Sequence, residues 1–357
     1  MRKKQAVILG ATGAAGQNVV EFIQTHPWFE LNTLAASDRS HGVSYKEAIN
    51  GAVFFKSKPL EELLDSKVVS VSKIDPLEFD VAFSALPSNI ALDIEARFAK
   101  HIPVISTASA YRYEADVPIL IPEVNPDHVE LIDVQRENRE WSGYIVPGPN
   151  CATVGLVMTL KPLLDGYGVN AVSMVSLQAL SGAGEKGLRS DSPYRNSVLN
   201  NVLPYIEGEE QKVEKETNKI LGKFFGREII DARINILATC TRVMVENVHT
   251  IVVHTGLKNK FDLNELKSVL KSFRSEPQEF NLPSAPEKPI IIVEDDYHPQ
   301  PLKHREYPHM VTVIGRIREN NLFKNGLSYV LTSDNLERGA GGGAVLTAEH
   351  LLKKGLI

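Results

Sequence analysis

The residues whose types and spacing could carry chemistry fall at a few places in the chain. Cys151 stands in Pro149-Asn150-Cys151-Ala152-Thr153, at the opening of an apolar helical stretch, VGLVMTLKPLL. A cysteine at a helix N-terminus has its thiolate stabilised by the dipole and by free backbone N–H groups, which favours a nucleophile. The alternative is a small buried hydrophobe, the usual fate of a free cysteine. Cys240, in the apolar strand INILATC, fits that reading better. Glu209 and Lys212 in EGEEQKVEKETNKIL are three apart and share a helix face; on spacing alone a solvated charged helix is the better reading. Arg242 and His249 lie in TRVMVENVHT. Their odd separation would point them to opposite faces of an unbroken strand. They converge only if the strand breaks, and Glu246-Asn247 is where we expect the break. His254, five beyond His249, would lie on the opposite face of a regular strand. The histidines and cysteines show no zinc-type spacing, so no metal is expected.

A second kind of chemistry is nucleotide binding. Gly10, Gly13 and Gly16 form G-x-x-G-x-x-G between a strand, AVILG, and a helix, GQNVVEFIQTH. Such a turn lets backbone N–H groups at the helix N-terminus approach a pyrophosphate. At the end of the second strand the chain reads Ser37-Asp38-Arg39-Ser40-His41-Gly42. An acid there would accept from ribose hydroxyls, whereas a cation would meet a 2′-phosphate. Ser37, Arg39 and Ser40 suit the phosphate and Asp38 alone suits the diol, so NADP is the expected cofactor.

The elements that must position these groups follow from the hydrophobic pattern. LNTLAAS, DVAFSAL and IPVIST alternate with helical stretches, which implies parallel strands with helical crossovers. After Pro149 the runs VNAVSMVSLQAL and RVMVENVHTIVVHTG are β-rich, closer to a mixed or antiparallel sheet. DLNELKSVLKSF is a helix capped by Asp262, with Leu263, Leu266, Leu270 and Phe273 on one face. SEPQEFNLPSAPEKP is a proline-rich surface loop, and GGGAVLTAEHLLKKGL a final amphipathic helix.

Length and composition bound the rest. A chain of 357 residues suggests two domains. Lysine plus arginine is 39 against 44 acids, a net charge of -5, which argues against a basic nucleic-acid-binding surface. Two cysteines exclude a secreted disulfide scaffold and point to a reducing compartment, the cytoplasm. The basic, then apolar N-terminus is superficially like a signal peptide, but its apolar run stops at Gly10. No run is long enough for a membrane span.

Taken in order along the chain, these pieces resemble the aspartate-semialdehyde dehydrogenase family, in its archaeal and fungal-like branch. GATGAAGQ resembles its cofactor loop, AASDRSHG its 2′-phosphate loop and DVAFSALPS the segment beside the nicotinamide. YRYEADVPILIPEVNP, PNCAT, LQALSGAGEKG, GEEQKVEKETNKILG, TRVMVENVHT, NLPSAPEKPIIIVEDD, VTVIGRIREN and SDNLERGAGGGAVLTAEHL follow in family order. The resemblance implies roles at matching positions. Cys151 would be the nucleophile, Gln178 would orient the reacting carbonyl and His249 would be the acid–base residue. Arg242 would grip the substrate carboxylate and Glu209 its ammonium, with Lys212 and Arg112 holding phosphate and Asn150 beside them. Gly10, Thr12, Gly13, Ala14, Ala15, Ser37, Arg39, Ser40, Ser84, Leu86, Pro87, Ser181, Gly182 and Asn335 would line the NADP site.

The implied fold is a Rossmann-type NADP-binding domain, residues 1–148 plus 336–357. A second α+β catalytic and dimerisation domain, 149–335, would be built on a mixed sheet and assemble a homodimer or homotetramer. The implied reaction is NADPH-dependent reductive dephosphorylation of L-aspartyl 4-phosphate. Two readings compete: a malonyl-CoA or succinyl-CoA reductase on the same scaffold, and a non-catalytic NADP-binding paralogue. The family usually reads R-V-P-V-x-x-G-H, where this chain has Met244 for the proline and Val248 for the glycine; Ile251 replaces an acid that often follows the histidine. If the turn before His249 needs a positive φ, Asn247, which tolerates it, is expected to carry it rather than Val248.

Overall fold

The computed structural model describes residues 2–57 and 59–357. The short apolar runs of the first part form six strands: β1 (Lys4–Leu9), β2 (Phe29–Ala36), β3 (Val69–Ser70), β4 (Val81–Ser84), β5 (Pro103–Ser106) and β6 (Tyr144–Pro147). Every pairing is parallel, in the spatial order β3-β2-β1-β4-β5-β6. Strands β4 and β6 are buried at every residue, because helices cover both faces of such a sheet. On one face the helix Ala14–Ile23 and the final helix Gly341–Lys353 pack Val19, Val20, Ala344, Val345 and Ala348 against Ala6 and Ile8. On the other, the helix Ser88–Ala99 sets Phe98 and Ala99 against Val7 and Leu9. The strand order reverses between β1 and β4. Their following loops diverge there and leave a crevice at the carboxyl ends.

The second sheet holds β7 (Val169–Gln178), β10 (Asn235–Arg242), β11 (His249–Leu257), β12 (Ile290–Ile292), β13 (Thr312–Asn320) and β14 (Gly326–Ser333); β8 (Lys223–Phe225) and β9 (Glu228–Ile230) form a separate hairpin. Its order is β10-β7-β11-β14-β13-β12, parallel at β10/β7 and β12/β13 and antiparallel elsewhere, so it is mixed as expected. Strand β7 alternates, with Val172 and Met174 inward and Val175 outward. The inner face packs on the helix Cys151–Tyr167, through Val157, Leu160 and Leu163, and on the helices Glu209–Ile220 and Leu263–Ser272. Asp262 caps the last of these, accepting from the N–H groups of Asn264 and Glu265.

Two local expectations are corrected. The final helix is not amphipathic, since residues 344–351 are all buried. A second cover, carrying Leu282 and Met310, closes over Leu346. The helix's own polar residues find partners, Glu349 with buried His26 (2.8 Å) and His350 with half-buried Glu276 (2.7 Å). The proline-rich segment also contains a helical turn, Glu276–Glu279, started by a Ser275–Gln278 capping box.

Candidate active site

Three of the expected residues lie at one end of the second sheet. Gln178 ends β7, and Arg242, its register partner, ends the parallel neighbour β10. His249 opens the antiparallel neighbour β11, where Thr250 pairs with Leu177. The chain leaves the sheet between Arg242 and His249, and this break lets both side chains face inward. They converge on Gly182: a Cβ there would lie 2.7 Å from Arg242 Nη1 and 3.0 Å from His249 Cε1. A side chain at position 182 would therefore displace both.

The turn itself corrects one expectation. Val248, not Asn247, carries the positive φ, at 74°. A β-branched residue there costs ~1–3 kcal/mol and persists only where its surroundings fix it. Here Val248 is buried and its N–H donates to Asn335 Oδ1 at 3.0 Å. The left-handed residue is thus the one that makes this long-range bond, not the asparagine that local preference favours.

Cys151 is the first residue of its helix. Asn150 is the N-cap, its Oδ1 accepting from the N–H groups of Ala152 (2.9 Å) and Thr153 (3.2 Å). The Sγ lies 3.2 Å from His249 Nε2. On the other side of the ring, the Ala179 N–H donates to Nδ1 at 3.1 Å. A neutral imidazole so held carries its proton on Nε2, facing the sulfur. Burial, with the Arg242 guanidinium alongside, lowers His249 to about 3. Burial pushes the Cys151 thiol up to about 12; the Glu209 carboxylate adds to this, and the Arg242 and Arg112 guanidiniums oppose it. The resting pair is thus a thiol beside a neutral imidazole. Cys240 is buried in β10, its thiol raised to about 11, chiefly by burial.

The helix Glu209–Ile220 supplies the charged wall. Glu209 is buried and accepts from Asn150 Nδ2 (2.5 Å) and Gln178 Nε2 (3.3 Å), and Lys212 Nζ lies 3.4 Å away. The Asn150 amide is spent on the helix cap and on Glu209. Glu216, two turns along the same face, was not anticipated. Wholly buried, it accepts from the Asn150 backbone N–H (2.5 Å) and from Arg112 Nη1 (3.0 Å). The signal for it was the seven-residue spacing from Glu209. Tyr194 was also missed: its hydroxyl accepts from Arg242 Nε (3.2 Å), while Arg242 Nη1 donates to the Ala179 carbonyl (2.5 Å). Nothing local in the sequence marks it.

One cleft, of about 330 Å³, brings Arg112, Asn150, Cys151, Glu209 and Lys212 together with Ala14, Ala15, Leu86, Pro87, Ser181, Gly182 and Asn335. Gln178, Arg242 and His249 form its buried floor rather than its lining. The nucleotide end fits a dinucleotide. Gly10 has a φ of +83° and a Cβ there would lie 2.7 Å from the Ala85 carbonyl oxygen, so only glycine makes this turn. Gly13 precedes the helix Ala14–Ile23 as an N-cap without a side-chain hydrogen bond, the arrangement in which backbone N–H groups take a phosphate. Thr12 lies in that turn, and its carbonyl accepts from Gln17 Nε2. Ser37, Arg39 and Ser40 stand on the turn after β2, with Ser37 and Arg39 exposed. The Asp38 carboxylate is taken up by the Ser70 and Ser72 hydroxyls, which hold it below its usual range. Ser84, the last residue of β4, is fully buried on the sheet, at the carboxyl end of the strand that precedes Leu86 and Pro87. Among the described residues no group of three or more His, Cys, Asp or Glu side chains is placed to hold a metal ion, and no helix is long and apolar enough to cross a membrane.

Comparison with known proteins gives a consistent picture. Two family models match: semialdehyde dehydrogenase, NAD binding domain, over residues 5–132, and semialdehyde dehydrogenase, dimerisation domain, over residues 160–338. The aspartate-semialdehyde dehydrogenase of Archaeoglobus fulgidus is 42% identical over 354 residues, 98% of each chain. A malonyl CoA reductase (NADP) of Metallosphaera sedula is 35% identical over 363 residues, covering 100% of this chain and 99% of its own. A solved structure of aspartate semialdehyde dehydrogenase with NADP from Candida albicans superposes with a TM-score of 0.89 at 33% identity, over 100% of both chains.

Proposed function

From a chain that belongs to the aspartate-semialdehyde dehydrogenase family, we infer an enzyme that reduces L-aspartyl 4-phosphate, with NADPH, to L-aspartate 4-semialdehyde and phosphate. The observation that carries the reading is the Cys151–His249 contact of 3.2 Å at a helix N-terminus, in a cleft shared with Glu209, Lys212 and Arg112. An acyl phosphate is activated, so the sulfur of Cys151 attacks its acyl carbon as the acyl–oxygen bond breaks; the thiol proton goes to the departing phosphate, and a thioester forms. Lys212 and Arg112 are the cations available to the departing phosphate. Glu209 suits the substrate ammonium, and Arg242, whose Nε and Nη1 are fixed by Tyr194 and Ala179, suits the carboxylate.

The NADP site is assigned to the Gly10–Ala15 turn, the Leu86-Pro87 loop and the turn bearing Ser37, Arg39 and Ser40; bound there, the cofactor supplies the hydride that reduces the thioester. His249 presents its Nε2–H to the carbonyl oxygen, where negative charge develops. With Nδ1 held by the Ala179 N–H, it acts first as a hydrogen-bond donor. When the aldehyde forms, the Cys151 sulfur leaves as thiolate.

We assign the nucleotide-binding unit to residues 1–148 plus 336–357, supported by the packing of the final helix beside β1. Residues 149–335 form the catalytic and dimerisation unit. Exposed Thr239 and Val175, with half-buried Val252 in the same row across β10, β7 and β11 and Leu237 beside it 65% exposed, support a homodimer through this sheet. Two free cysteines and no disulfide support a reducing compartment, the cytoplasm.

The test is NADP+ reduction with aspartate semialdehyde and phosphate, run beside malonate or succinate semialdehyde with coenzyme A. Phosphate-dependent turnover is expected. Coenzyme A-dependent turnover alone would make the chain an acyl-CoA reductase, and no turnover with either would favour a non-catalytic NADP-binding protein.

A further inference from the structure

Among the described residues, Val248 is the only β-branched one with a left-handed backbone, and it immediately precedes His249. Its N–H donates to Asn335 Oδ1 at 3.0 Å. Asn335 is itself buried, and its Nδ2 donates to Ser181 Oγ at 2.9 Å. Ser181 in turn donates its backbone N–H to the Glu246 carbonyl at 3.0 Å. The ring of contacts therefore closes on both sides of the turn that delivers His249.

The segment carrying Asn335 is anchored from elsewhere. The Asp334 carboxylate accepts from the N–H groups of Leu336 (2.9 Å) and Glu337 (3.0 Å) and from Lys56 Nζ (2.6 Å), a residue of the first sheet's connections. Arg338 makes a two-point pair with Glu123, both contacts at 2.7 Å. Asn335 is thus held on a segment tied down at both sides, and Val248, whose N–H it accepts, sits in a conformation that a β-branched residue rarely adopts.

We propose that Asn335 is a positioning residue for the Cys151–His249 pair: its side-chain amide pins Val248 in the left-handed conformation that sets the imidazole against Sγ. The proposal rests on the reading that these two residues react. It goes beyond placing Asn335 beside the nicotinamide, because its Oδ1 and Nδ2 are both engaged within the protein. A glycine at 248 reaches the same φ without strain, so the pin matters only because this chain carries valine there.

The experiment is a double-mutant cycle. Asn335→Leu keeps the shape and removes both bonds. It is expected to slow alkylation of Cys151 by iodoacetamide and to lower kcat, each by about tenfold to a hundredfold, the scale of a misplaced catalytic group. NADP+ affinity should stay within about threefold, a change of roughly 0.7 kcal/mol or less. In a Val248→Gly background the same substitution should cost no more than about threefold, since the left-handed well needs no pin. Should Asn335→Leu fail to fold, Ser181→Ala frees the amide nitrogen and should give a smaller loss, again suppressed by Val248→Gly. Equal losses in both backgrounds, or lost NADP+ affinity with alkylation unaltered, would overturn the proposal. Alkylation needs no substrate, so a wrong substrate assignment would leave the cycle intact and abolish only turnover.

Discussion

At Cys151 the surroundings pull in two directions. The helix N-terminus and the Arg242 and Arg112 guanidiniums favour thiolate, while burial and the Glu209 carboxylate favour thiol and win, taking it up to about 12. The sign of the pH dependence follows. Thiolate is scarce at neutral pH and rises about tenfold per unit. Alkylation of Cys151 in the free enzyme should climb steadily from pH 7 to 9 without a plateau. Removing the carboxylate with Glu209→Gln lowers the thiol's pKa, so alkylation at fixed pH should quicken, by roughly tenfold for a one-unit shift. An unchanged or slower rate would show that this charge is not felt at the sulfur. A substrate ammonium at Glu209 would relieve the same repulsion, which ties activation of the nucleophile to occupancy of the site. At this scale the nucleophile was legible in the sequence, because Asn150 before an apolar helix is a cap signal that acts locally. Glu216 and Tyr194 were not, because their partners Arg112, Asn150 and Arg242 lie 48 to 104 residues away.

Strand ends rather than strands build the site. The odd spacing of Arg242 and His249 was enough to require a break, and the chain does leave the sheet between β10 and β11. Which residue bends was not legible, since local propensity favours asparagine and the deciding bond comes from Asn335, 87 residues on. The turn after β2 behaves differently. Its polar pattern already pointed to a phosphate, and Asp38, the one residue suited to a ribose diol, is tied to Ser70 and Ser72. Arg39 is left exposed. Arg39→Ala should weaken NADP+ much more than NAD+, since a charge-assisted bond is worth roughly 1.5–3 kcal/mol, about one to two decades of affinity. Titration of both cofactors checks this, and equal losses would mean that Arg39 does not read the phosphate.

In the whole molecule, two sheets meet where the nucleotide crevice and the catalytic strand ends share one cleft. The doubly wound order of the first sheet was legible from alternating strands and helices. The double burial of the final helix was not, because its second cover comes from residues 282 and 310. The outward face of the second sheet leaves Val175 exposed beside Leu237, and a self-complementary two-fold interface is the common way to cover such a surface. Light scattering at micromolar concentration should give at least a dimer, and a monomer would refute that assembly.

In the proposed reaction the carbon skeleton of the substrate passes through a thioester on Cys151. Without phosphate, aspartate semialdehyde and NADP+ should acylate the enzyme once and stop. Intact-mass and peptide-mass spectrometry should find one aspartyl group per subunit, on the peptide carrying Cys151, and adding phosphate should discharge it. Turnover without any such adduct, or an adduct on Cys240 in place of Cys151, would rule out Cys151 as the nucleophile.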